Sequence, residues 1–152
     1  MEPSSLVTAC CHVISKCINL SKRLSQFIED GRDVDDLVIQ ALQHTQCLYK
    51  VLRSINTTVL NNPTSQSFLT SEDDAGNIRE ALGQAITGSG AAVARFQVIL
   101  NGVLPSTRAL SVTRRAGAGQ RLRAKTNELL HFRQQMQTYT GILHMALQTI
   151  TV

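Results

Sequence analysis

Residues 6–30 read LVTACCHVISKCINLSKRLSQFIED, and this stretch decides the fold. Leu6, Cys10, Val13, Cys17, Leu20, Leu24 and Phe27 recur at alternating spacings of four and three. A half-buried strand would place apolar residues at every second position, whereas this spacing returns them to one side of an α-helix. The seam persists over several heptads, the pattern of helices that pack side by side. A second shoulder of Val7, Cys11, Ile14, Ile18 and Ile28 runs beside it. The first half of the helix is therefore apolar over most of its circumference, and the second half is amphipathic. Gly31 offers a C-terminal stop.

The same rhythm returns three times downstream. Asp33, Asp35 and Asp36 place negative charge where a helix N-terminus favours it, and Val34, Val38, Ala41, Thr45, Leu48, Leu52, Ile55 and Val59 repeat the four–three spacing. Asn61-Asn62-Pro63-Thr64-Ser65 breaks that run, and Phe68 and Leu69 are expected to cap the end of the core. Thr70-Ser71-Glu72-Asp73-Asp74 resembles a capping box and opens a third seam of Ala75, Ile78, Leu82, Ala85, Ser89, Ala92, Phe96, Ile99 and Val103. A fourth runs through Leu122, Lys125, Leu129, Phe132, Met136, Tyr139, Leu143, Ala146 and Ile150. Four amphipathic stripes are buried most simply in a four-helix bundle. The expectation is an all-α, antiparallel four-helix bundle in one domain over 1–152, with helices at about 4–30, 33–60, 71–103 and 119–151. The middle of the third segment is unusually small, with Gly83, Gly88, Ser89, Gly90, Ala91 and Ala92. An interior glycine costs a helix ~1 kcal/mol relative to alanine. Two outcomes fit: a kink or break near Thr87–Gly90, or a very close approach of a neighbouring helix there.

The chain has 152 residues, enough for one core. The four cysteines, Cys10, Cys11, Cys17 and Cys47, show no C-x-x-C spacing. Cys10 and Cys17 lie two helical turns apart, too far for a disulfide within one helix. Reduced, buried thiols and a cytoplasmic setting, with a peripheral membrane location as the further option, are the plain expectation. Glu2 and Pro3 precede the first apolar run with no basic n-region, so no secretory signal is expected. The run from Leu6 to Leu20 is too short and too polar for a membrane span.

Catalytic and cofactor motifs do not assemble. His44 and Cys47 share a helix face but lack metal-binding partners at a fixed spacing. Glu128 and His131 form one E-x-x-H unit where a di-iron bundle needs two, with two further glutamates. Gly88-Ser89-Gly90 lacks the third glycine of a dinucleotide loop, and Gly83 to Gly88 lacks the Lys-Ser/Thr of a P-loop. No enzyme activity, metal or cofactor is expected.

Charge is the remaining signal. Residues 1–80 carry 7 basic and 10 acidic side chains, and residues 81–152 carry 8 and 1. Arg108, Arg114, Arg115, Arg121, Arg123 and Lys125 form a basic stretch with no acid between Glu80 and Glu128. Such a stretch fits a solvated loop, an intramolecular partner of the acidic clusters, an anionic headgroup surface, a nucleic acid or a protein partner. Nucleic acid is the weak option: no recognition motif is present, tryptophan is absent, and tyrosine and phenylalanine number 2 and 4.

Met1-Glu2-Pro3-Ser4-Ser5 runs straight into the apolar helix, which then reads L-S-K-R-L-S-Q-F-I-E-D over Leu20–Asp30. The second helix is rich in Leu and Gln, and the chain closes on Thr140-Gly141-Ile142-Leu143-His144-Met145-Ala146-Leu147-Gln148-Thr149-Ile150. Together these resemble fungal N-terminal helical domains of STAND (NACHT or NB-ARC) proteins: the HeLo-like and SesA-type domains and the N-terminal domain of azaphilone-pigment-cluster protein L. The resemblance implies a non-enzymatic signalling or cell-death bundle that self-associates or meets a protein partner, with an N-terminal helix released toward membranes. Carried onto this chain, the membrane or partner face is Leu6, Val7, Cys10, Val13, Ile14 and Ile18, with the Arg108–Lys125 stretch on headgroups. The competing role for the first set is bundle core. A plain scaffold bundle is the second reading, and a small helical enzyme or ligand carrier with a pocket beside Gly88-Ser89-Gly90 the third. The chain reads either as a small one-domain protein or as the first domain of something longer.

Overall fold

A computed structural model describes residues 3–30, 36–60, 75–103 and 125–151. The described residues form four α-helices: α1 (Pro3–Asp30), α2 (Asp36–Ile55), α3 (Ala75–Val103) and α4 (Thr126–Thr151). A π-helical turn, Asn56–Leu60, continues α2. No described residue lies in a strand. The expected helix starts at 33, 71 and 119, and the Phe68–Leu69 cap, lie outside the described residues.

Local chemistry explains the elements. α1 has proline only at its first position, where the missing N–H has no intrahelical partner to lose, and no glycine inside. α2 carries Asp36 in its first turn and Arg53 in its last, each opposite in sign to the helix end it occupies. At the start of α4 the Leu129 N–H donates to the Lys125 carbonyl at 3.0 Å, which makes Lys125 the N-cap. Lys125 is therefore exposed at a helix start and does not lie on the seam expected for it.

The helices pack in a ring: α1 against α2, α2 against α4, α4 against α3, and α3 against α1. The pairs α1/α4 and α2/α3 lie across the diagonals. Within α1/α2 the chains run antiparallel, since Cys10 meets Leu52 near the start of α1 while Ile18 to Glu29 face Gln46 and Tyr49. Within α3/α4 they also run antiparallel, since Gly88 meets Tyr139 and Phe96 meets Phe132. All seven seam residues of α1, from Leu6 to Phe27, lie in one core with Leu48, Leu52, Leu82, Ile86, Phe96, Met136 and Leu143. Among the described residues two polar side chains share it, and both are satisfied by their own helices. Thr45 Oγ1 donates to the Ala41 carbonyl at 2.7 Å and Ser89 Oγ to the Ile86 carbonyl at 3.0 Å.

α3 is helical without a break through Thr87–Gly90. The close approach is what its small residues serve. A Cβ on Gly88 would stand 2.6 Å from the Tyr139 ring, and one on Gly90 would stand 2.8 Å from Val13 Cγ2. At Gly90 the core side chain Val13 of α1 occupies the space a side chain would take, and at Gly88 the outer end of the Tyr139 ring of α4 does.

Candidate functional site

The residues expected on a membrane or partner face divide into two sets. Leu6, Cys10 and Val13 are buried in the core. Val7 and Ile14 pack against it half-buried, and Ile18 is 38 % exposed. In this conformation the outward apolar part of α1 is thus the Val7–Ile14–Ile18 shoulder, and the seam reaches an outside surface only if α1 leaves the bundle. Ile18 lines a shallow groove between α1 and α2, with Lys22, Ser25, Glu29 and Tyr49 along its walls. Beside it the Arg53 guanidinium donates to Tyr49 Oη at 2.8 Å and lies over the ring, 6.0 Å from its centre. Of the basic stretch, Lys125 is described and exposed. Arg108, Arg114, Arg115, Arg121 and Arg123 lie outside the described residues.

The cysteines separate into two kinds. Cys10 and Cys17 are fully buried, and burial pushes both thiols up from 9.0 to about 12, with the neighbouring Cys11 and Cys10 charges as the lesser causes. A buried thiol held neutral in this way is a poor nucleophile at physiological pH. The Cys10 thiol instead donates to the Leu52 carbonyl at 3.3 Å, bridging α1 and α2. Cys11 and Cys47 are exposed. The Asn56 amide donates to Cys11 Sγ at 3.8 Å, while Asn56 Oδ1 is buried with no hydrogen-bond partner.

His44 is held below the usual imidazole range, first by burial and then by the Arg133 charge across the α2/α4 seam. Among the described residues no group of three or more His, Cys, Asp or Glu is placed to hold a metal, which covers both His44–Cys47 and Glu128–His131. No described helix is long and apolar enough to cross a membrane.

Beside Gly88-Ser89-Gly90, Tyr139 and Val13 fill the space, and Ser89 is fully buried. A cleft of about 260 Å³ opens further along the α3/α4 seam. Its floor is Ala92, Phe96, Ile99 and Phe132, and the two phenylalanine rings stack with centres 4.3 Å apart and planes at 22°. Arg95 on α3 and His131 on α4 form its lips, with Asn127, Glu128 and Gln135 beside them. In the sequence Glu128 and His131 stand out only as an isolated E-x-x-H unit, and Arg95 belongs to no motif. The available signal was the i, i+3 and i, i+4 set of Ala92, Arg95, Phe96 and Ile99, which puts a cation at the edge of an apolar stripe.

Comparison with family models, with curated proteins and with solved structures gives no match.

Proposed function

We propose that this chain is a non-enzymatic helical interaction and signalling domain that acts through α1, by self-association and by attraction to an anionic membrane surface. The observation that carries the reading is that α1 has more apolar surface than its bundle covers. Its seam is the core, while Val7, Ile14 and Ile18 form a second apolar shoulder that reaches solvent at Ile18. A helix with one face in the core and another directed outward suits contact with a second apolar surface. The resemblance to STAND-associated fungal domains supports a signalling role, and the basic stretch from Arg108 to Lys125, which contains no acid, supports attraction to headgroups.

Co-sedimentation with phosphatidylserine-containing vesicles tests the membrane part. The chain is expected in the pellet at low salt. Binding should fall as salt rises and in the Arg114→Glu, Arg115→Glu double variant. A chain that stays in the supernatant with every vesicle composition and salt concentration removes the membrane surface from the proposal.

A further inference from the structure

The cleft between the C-terminal half of α3 and the N-terminal half of α4 has the make-up of a ligand site. We infer that it binds a small flat aromatic anion, one or two fused rings bearing a carboxylate. This inference stands apart from the reading of α1, since it concerns the other side of the helix ring.

Size and shape come first. At about 260 Å³ the cleft falls just under the range of drug-sized pockets, which limits the ligand to one or two rings. Its floor presents Ile99 and the margins of Phe96 and Phe132, whose stacked rings hold the two helices together beneath it. Ala92 keeps the floor low. A flat apolar ring covers such a floor and removes it from water, which favours binding in proportion to the area covered.

The lips decide the charge. Arg95 is exposed at the edge of the apolar floor, and no described acid forms an ion pair with it, although Glu128 lines the same cleft. A guanidinium offers only donors, in a planar fork that matches a carboxylate. His131 faces it from α4, and the Asn127 and Gln135 amides each bring two further N–H donors. Glu128 is the single acid among the lining residues. A neutral ring would leave the Arg95 donors to water, whereas a carboxylate at the lip pairs with them while its ring covers the floor.

The test is calorimetric titration of the full chain with 2-naphthoate, with 2-naphthamide as the uncharged analogue of the same shape. Saturable one-to-one binding of the naphthoate is expected, with the amide weaker by about ten-fold or more. Arg95→Gln should lose a similar factor while keeping the wild-type circular dichroism spectrum, because Arg95 lies outside the core. Backbone amide shifts on adding naphthoate should concentrate in residues 92–99 and 127–135. Any one of four results overturns the inference: no saturable binding, equal affinity for acid and amide, wild-type affinity in Arg95→Gln, or shifts centred elsewhere.

Discussion

At the scale of single residues, two glycines one turn-fraction apart in α3 do different jobs. A Cβ on Gly90 would press on Val13 Cγ2, a stiff β-branched side chain in the core with nowhere to move. Overpacking of this kind costs ~1–3 kcal/mol, which exceeds the ~1 kcal/mol that alanine returns in helix propensity. Gly90→Ala is therefore expected to lower the urea midpoint, and Val13→Ala in the same chain to recover part of the loss. Additive losses in the double variant would show that the two do not touch as described. At Gly88 the obstacle is the outer end of the half-buried Tyr139 ring, which can swing toward solvent. The cysteines make a second residue-scale prediction. With Cys10 and Cys17 buried and their thiols pushed up to about 12, only Cys11 and Cys47 should react with a thiol reagent in the native protein near neutral pH. All four should react in denaturant. Rapid native modification of Cys10 or Cys17, read by peptide mass, contradicts their placement.

At the scale of helices, the four–three rhythm was legible wherever apolar residues were large and unambiguous. Every seam position of α1 from Leu6 to Phe27 is buried, as are Val38, Ala41, Leu48, Leu52 and Ile55 in α2. The rhythm drifts in α3. There Leu100 is buried and Ile99 is half-exposed, with Ile86 and Val93 added to the core. A straight helix has 3.6 residues per turn, so a strict seven-residue count slips around it over several turns. The small residues of α3 disguised the slip, because they carry little hydropathy to mark a face. Glycine composition alone left a broken helix and a close approach equally open, and the neighbours that decide between them, Tyr139 and Val13, are distant in sequence. The α3/α4 cleft was hidden for the same reason, since the rotations of two helices together bring Arg95 and His131 to the rim of one cleft. The α2/α4 seam yields a pH prediction. His44 is held below its ordinary 6.5 by burial and by Arg133, so the folded chain prefers the neutral ring. The unfolded chain takes up the proton as pH falls through about 6.5, so this contribution to stability is present above that pH and is lost below it. Urea melts at falling pH should show a smaller loss in His44→Gln than in the wild type. An equal loss in both would assign the acid sensitivity to other groups.

At the scale of the whole molecule, a ring of four helices with α1 seated against both α2 and α3 gives α1 two apolar faces. One is the core seam, accessible only if α1 departs. The other is the α1 shoulder, already at the surface beside the groove shared with α2. On the proposed function, this second face is the interaction surface on which copies of the chain associate. Sedimentation equilibrium of the wild type beside an Ile14→Glu, Ile18→Glu double variant measures it most directly. Reversible, concentration-dependent association of the wild type is expected, with a monomeric double variant that keeps its helical circular dichroism. A wild type that remains monomeric across the full concentration range, or a double variant that associates just as strongly, contradicts it.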